Sequence, residues 1–179
     1  MTAAVTPLNA FQPSEAKDPP MPAEQKIIPC LWFDTQAEEA ATYYVSVLPN
    51  SRIERIVRAP ADYPGGKAGG VLLVEFTLAG NRYTALNGGP YFTFTEAVSL
   101  QIYTDPAETD RLYAALSAVP EAEQCGWAKD RYGFSWQIVP VGFGALMSDP
   151  DPAVVARVFA AMMEMKRLDM DALRAAARG

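Results

Sequence analysis

LWFDTQAEEAATYY (31–44) and LQIYTDPAETDRLY (100–113) are two segments of this chain that align with each other at an offset of 69 residues. The identical pairs are Leu31/Leu100, Thr35/Thr104, Glu39/Glu108 and Tyr44/Tyr113. Roughly one identity in fourteen would be expected from average residue usage. The matches fall on a strand, a helix cap, a first helical turn and a buried helix face. This pattern indicates an internal duplication.

Each copy opens a unit made of strands and one helix. In the first unit, an apolar run at 27–33 has strand length, and Thr35-x-x-Glu38 predicts a capping box at the start of a helix. Alternating segments and a Gly80-Asn81 turn then predict three further strands. The second unit repeats this order with shorter connections, and Asp105 caps its helix. The sequence therefore predicts an α+β fold of paired βαβββ modules, spanning 26–88 and 96–141.

The remaining segments flank or join the modules. Residues 1–25 are rich in proline, alanine and polar residues without periodicity, and predict a flexible extension. The stretch LNGGPYFTF (86–94) lacks the context of a phosphate-binding loop and is interpreted as the joint between the modules. After the domain at 26–147, residues 148–179 predict two helices with a methionine-rich apolar face that suits a core or a subunit interface.

The charge of the chain excludes some classes of partner. The formal net charge is −6, and no cluster of lysine and arginine exceeds two neighbours. Nucleic acids and anionic membranes need a basic face, so neither is expected as a partner. No apolar run is long enough for a bilayer, and the N-terminus lacks the pattern of a secretion signal. We expect a cytoplasmic protein.

The absence of histidine limits the chemistry further. It excludes a histidine-assisted serine or cysteine nucleophile and every metal site that contains histidine. Carboxylate, tyrosine, lysine or cysteine chemistry remains, or no chemistry at all. Cys125 has no histidine partner, so packing is the preferred interpretation of this residue.

Strand alternation divides polar from apolar side chains in module two. In the segment 134–139, Trp136 falls with Phe134 and Ile138 on the predicted core side, which leaves Ser135 and Gln137 on the other side. In the segment 97–103, Ser99 and Gln101 likewise alternate with apolar residues. These polar positions are candidates for a ligand-binding surface.

From Ile27 onward the chain resembles the PhnB-like branch of the vicinal oxygen chelate superfamily, which includes glyoxalases, dioxygenases and bleomycin-resistance proteins. This branch is often labelled 3-demethylubiquinone-9 3-methyltransferase-like. The segments that carry the resemblance are IIPCLWFDTQAEEAATYYVSVLPNSRI, VEFTLAG, ALNGGPYFTFTEAVS, QCGWAKDRYGFSWQIVP and LMSDPDP. The resemblance implies a glyoxalase-like fold, dimers, and clefts built from facing strands.

The resemblance also implies where metal-dependent members of the superfamily hold their ligands, on the first and last strands of each module. The corresponding positions here lie near Ile28 or Cys30, Ala85 or Asn87, Ala97 or Ser99, and Gln137. They offer thiol, amide, hydroxyl and apolar groups, whereas divalent cations prefer carboxylate and imidazole ligands. Tyr91 stands where many relatives have histidine. We expect no metal and no cofactor.

The resulting hypothesis is a homodimeric, metal-free protein that binds a small, partly apolar molecule in a strand-lined cleft. The predicted cleft residues are Cys30, Trp32, Asn87, Ser99, Gln101 and Gln137. Trp32 would cover apolar surface, and the amides and hydroxyl would orient the ligand. One alternative is a metal-dependent enzyme of glyoxalase, dioxygenase or transferase type, for which Glu75 is the nearest carboxylate. Another is a dimer without a ligand.

Overall fold

The computed structural model describes residues 25–179 and contains seven strands and five helices within them. In module one these are β1 (Cys30–Phe33), α1 (Ala37–Val47), β2 (Arg52–Arg58), β3 (Val71–Leu78) and β4 (Asn81–Asn87). In module two they are β5 (Ser99–Thr104), α2 (Pro106–Leu116), β6 (Trp127–Lys129) and β7 (Ser135–Pro140). The helices α3 (Phe143–Met147), α4 (Pro152–Met163) and α5 (Met170–Arg178) follow. The extension predicted at 1–25 lies, apart from Gln25, outside the described residues.

The two modules share one topology. Sheet one has the strand order β1-β4-β3-β2, and sheet two has the order β5-β7-β6. In both sheets the first strand of the module pairs in parallel with the last one. The bounds of α1 and α2 are separated by the same offset of 69 residues as the two aligned segments. The predicted α+β fold of paired modules is confirmed.

Module two differs from module one in its outer strand. Sheet two has three strands, because residues 117–126 form a short 3-10 turn at Pro120–Ala122 and an isolated bridge between Gln124 and Trp127. The corresponding segment of module one, residues 48–70, holds β2 and a long loop. Ten residues that include Pro120, which has no N–H to donate, are too few to build both.

The two sheets share one core. The helices α1 and α2 lie between the sheets, and the buried cluster takes side chains from both modules. The ring of Phe94, in the joint, contacts Phe33 and Phe134 with a centroid distance of 5.1 Å in each case. Tyr44 of α1 packs on Trp136 of β7 at 5.1 Å. Each sheet therefore turns one face to this core and leaves the opposite side, here called its open face, outside it.

The start of α1 is capped differently from the prediction. Gln36 is the N-cap residue and its side chain makes no capping hydrogen bond, so the predicted capping box is wrong. Instead, the N–H of Ala37 donates to Oδ1 of Asn87, which lies fifty residues away on β4, at 2.8 Å. In α2 the prediction is confirmed, because the N–H of Glu108 donates to the carboxylate of Asp105.

The C-terminal helices form a small core of their own. It contains Val158, Leu168, Met170 and Leu173. Two backbone hydrogen bonds of 2.7 Å, from the N–H groups of Cys125 and Gly126 to the carbonyls of Met165 and Lys166, tie this unit to module two. None of the helices within residues 25–179 combines the length and the apolar character that a membrane span requires.

Candidate functional site

The open face of sheet two carries a continuous row of polar side chains. Gln101 on β5 lies directly opposite Gln137 on β7. The Gln137 amide donates to the Ser99 hydroxyl at 2.8 Å, and the Tyr103 hydroxyl donates to the Gln101 carbonyl at 2.9 Å. The amide of Gln101 lies 3.4 Å from that of Gln137. We call Ser99, Gln101, Tyr103 and Gln137 the polar row. Hydrogen bonds among these four side chains hold them in place, and the side chains remain partly exposed.

The open face of sheet one presents Cys30 and Trp32. Cys30 is exposed and unpaired with Cys125, and Trp32 is half-buried. The indole N–H of Trp32 donates to the carbonyl of Gly89 at 2.9 Å, and the Phe92 ring meets the indole edge-on at 5.0 Å. A Cβ atom at Gly88 would overlap the Trp32 ring. Gly88 is therefore required for the orientation of Trp32.

Asn87 lies on the opposite side of sheet one from Cys30 and Trp32. Its side chain is 6% exposed and bonded at both ends, to the Ala37 N–H and to the Val71 carbonyl. Asn87 is one of the predicted cleft residues, but it pairs with Phe33, whose side chain faces the core, and its own side chain lies on that same side of the sheet. The Asn87 amide therefore joins α1, β3 and β4 within the fold.

The structure thus collects the other predicted residues into two groups. Ser99, Gln101 and Gln137 lie together on sheet two, and Cys30 and Trp32 lie together on sheet one. The shared core separates the two open faces, so the groups do not face each other within one chain. Whether any of these residues binds a ligand stays a prediction.

The predicted set of cleft residues leaves out three residues of the open face of sheet two. Tyr103 completes the polar row, and Trp127 and Lys129 extend it onto β6. Lys129 forms an ion pair with Glu96, which holds the pKa of that carboxyl below its ordinary value. Alternation from Ser99 and Gln101 identifies Tyr103. The three-residue strand β6 is too short to show a pattern of its own.

The donor groups of the described residues do not fit a divalent cation. No three histidine, cysteine, aspartate or glutamate side chains within residues 25–179 come together as a metal site requires. Both carboxylate oxygens of Glu75 accept from the guanidinium of Arg55, at 2.6 and 3.0 Å. This pairing lowers the pKa of Glu75. Glu75, the carboxylate that the metal-dependent alternative would use, lies on the inner strand β3 of sheet one and is held in this ion pair.

Asp130 is a further buried polar residue that sequence reasoning missed. Its side chain is 1% exposed, and its two oxygens accept four hydrogen bonds. One oxygen takes the N–H groups of Tyr132 and Phe134, and the other takes the Tyr44 hydroxyl and the Trp136 indole. Burial and the neighbouring carboxylate raise the pKa of Tyr44. Because all of its bonds are internal, Asp130 joins α1 to module two and has no free lone pair aimed at a ligand.

Comparison with known proteins gives the family. A family model described as 3-demethylubiquinone-9 3-methyltransferase matches residues 25–139. A solved structure described as a putative 3-demethylubiquinone-9 3-methyltransferase, a PhnB protein from Bacillus cereus, is 33% identical, with a TM-score of 0.56 over 65% of this chain and 100% of that one.

A second solved structure, from Pseudomonas aeruginosa, is 20% identical, with a TM-score of 0.50 over 65% of this chain and 97% of that one, and supports the fold alone. The curated proteins gave no match. By its modules, and by the match over most of its length, this chain belongs to the PhnB-like family described as 3-demethylubiquinone-9 3-methyltransferase.

Proposed function

We propose that this protein binds a small, partly apolar molecule on its open faces, without a metal, as a PhnB-like member of the vicinal oxygen chelate superfamily. The polar row is the observation that carries the proposal. Four hydrogen-bonding side chains stand in a preorganised line on a sheet face that residues 25–179 leave partly exposed. A few positioned polar groups beside aromatic surface are the usual content of a small-molecule site.

We propose further that the site is assembled in a homodimer. The two open faces lie on opposite sides of the shared core, so Trp32 of one copy can meet the polar row only if that row belongs to a second copy. Large apolar side chains at both faces support this, since Phe92, beside Trp32, and Tyr103 are each 65% exposed. Exposed aromatic groups of this size favour an interface.

The two sheets do not favour a methyltransferase activity, although the family description contains that word. Binding of S-adenosylmethionine by a doubly wound fold requires a parallel sheet flanked by helices, and sheets one and two are small and mixed. A metal-dependent reaction through Glu75 would first have to break the pairing of Glu75 with Arg55.

Thermal-shift screening against quinones, phosphonates and antibiotics tests the binding proposal, because a ligand of the folded state raises Tm by mass action. For a molecule that raises Tm, Ser99→Ala should weaken binding about fivefold, the value of one hydrogen bond of about 1 kcal/mol. Ser46→Ala, on the exposed side of α1, is the matched control and should leave binding unchanged. Equal effects of the two changes would contradict the proposal.

Sedimentation of the protein tests the dimer. The chain has a mass of 19.4 kDa, so we expect a species of twice that mass. A monomer that still binds the molecule found in the screen would show that the second copy is not needed.

A further inference from the structure

A cavity lies beside the polar row, where module two meets the C-terminal helices. Its volume is about 350 Å³, and its lining residues are Glu96, Ala122, Gln124, Cys125, Trp127 and Met163. Trp127 is paired directly with Gln137 across β6 and β7. Residues paired in this way project from the same face of a sheet. The cavity therefore continues the open face of sheet two at the Gln137 position.

One wall of this cavity comes from outside the family domain. Met163 is the last residue of α4 and lies beyond residues 25–139, which match the family. Its sulfur lies 3.9 Å from Sγ of Cys125. The backbone bonds from the turn at Cys125 and Gly126 hold the chain just after Met163, at Met165 and Lys166. These bonds fix the backbone beside the wall, and the Met163 side chain, which is 42% exposed, supplies its surface.

The residues that line the cavity favour the binding of a flat, uncharged aromatic ring. An indole, a thioether, a thiol and a methyl group supply polarisable apolar surface, and sulfur packs well against aromatic rings. Lys129 already neutralises the carboxylate of Glu96. A cavity of about 150 Å³ holds one benzene molecule, so 350 Å³ leaves room for a fused pair of rings.

We infer that this cavity binds the aromatic part of the ligand, between Trp127 and Met163, while the polar part of the same ligand reaches Gln137. The inference rests on the proposed function, since it names the chemical class of molecule that would use the polar row. It makes the C-terminal helices a specificity element of this chain.

Alkylation of Cys125 in the full-length protein tests the inference, with naphthol as the probe. Iodoacetamide modification of Cys125 is followed by peptide mass spectrometry, with and without naphthol. At a naphthol concentration about ten times its Kd, about one tenth of the sites stay free, so alkylation should slow about tenfold. Glucose, a polar molecule of similar size, should not slow it. An unchanged rate of Cys125 alkylation at the solubility limit of naphthol would overturn the inference.

Two variants of α4 make the test specific to the cavity. Met163→Trp fills the cavity, so naphthol should no longer protect Cys125. Phe159→Trp places an indole at an exposed position on the same helix, so naphthol should still protect Cys125 in this variant. Equal protection in both variants would overturn the inference.

The polar row is tested separately with Ser99→Ala. Protection of Cys125 by naphthol in this variant supports the cavity even when the thermal-shift screen finds no ligand for the row. If the screen finds such a ligand but naphthol does not protect Cys125, the inference about the cavity is overturned and the proposed function still holds.

Discussion

Asp130→Asn tests how the two modules are held together. The change keeps the size of the side chain and replaces one acceptor oxygen by an NH₂ group, which only donates. If that group faces Tyr44 and Trp136, the hydroxyl can turn and accept, but the indole N–H cannot. If the amide is turned over, the same conflict arises with the backbone N–H groups of Tyr132 and Phe134. No orientation satisfies all four donors.

The expected cost follows from those contacts. At least one buried donor is left without a partner, which costs about 1–3 kcal/mol. Each remaining bond falls from about 1.5–3 kcal/mol for a charged acceptor to about 0.5–1.5 kcal/mol for a neutral one. We expect Asp130→Asn to lower the free energy of unfolding by about 3–5 kcal/mol. A whole domain is stable by only about 5–15 kcal/mol, so the effect should be large.

Urea unfolding followed by far-ultraviolet circular dichroism measures this loss, at one fixed protein concentration because a dimer couples stability to concentration. Asp171→Asn is the matched control, since that side chain is 94% exposed, and it should change stability by less than about 0.5 kcal/mol. Combining Asp130→Asn with Tyr44→Phe should reveal a coupling of about 1 kcal/mol. A loss below about 1 kcal/mol, or strict additivity, would refute the role assigned to Asp130.

Two further substitutions and one pH dependence test other parts of the structure. Asn87→Ala removes the cap of α1 and a bond to β3, and should cost about 2–3 kcal/mol in urea unfolding. Gly88→Ala should displace the Trp32 ring, cost about 2–3 kcal/mol and shift the tryptophan fluorescence. Burial raises the pKa of Tyr113 to about 12 from an unfolded value of about 10. The unfolded chain therefore loses the Tyr113 proton first. The contribution of this group to the free energy of unfolding is fully present below pH ~10 and is lost as the pH rises to ~12.

Each of these changes has a control in the chain. Asn81→Ala alters an exposed asparagine on the same strand, and Gly144→Ala adds a methyl group where no atom lies within 4 Å, so both should be nearly neutral. Tyr113→Phe should make the alkaline loss shallower. If Asn87→Ala were as mild as Asn81→Ala, or if the pH dependence were unchanged without the Tyr113 hydroxyl, the corresponding assignment would be wrong.

The fold could be predicted because its signals are local. The offset between the two aligned segments recurs as the offset between α1 and α2, and Asp105 caps α2 as its position predicts. Alternation correctly placed Trp136 in the core and Gln137 on the open face. The cap and the strand faces depend on residues a few positions apart, and the duplication is found by comparing two short segments, so the sequence displays all of them directly.

The site was only partly predictable, because a partner in space decides what a polar side chain does. Strand period alone fixes which face of sheet two Ser99, Gln101 and Gln137 occupy. Asn87 resembles them in the sequence, yet in the folded chain it lies on the core side of β4, where its amide oxygen accepts from the N–H of Ala37 at the start of α1.

The sequence by itself determined the duplicated modules, the helix and strand faces, and the absence of histidine. The tertiary structure alone decided that Asp130 binds Tyr44, that the open faces lie on opposite sides of one core, and that Met163 lines a cavity beside Cys125. The physical reason is the range of the interactions. Propensity and periodicity act within a turn or a strand, whereas hydrogen bonds and packing join residues that only the folded chain brings together.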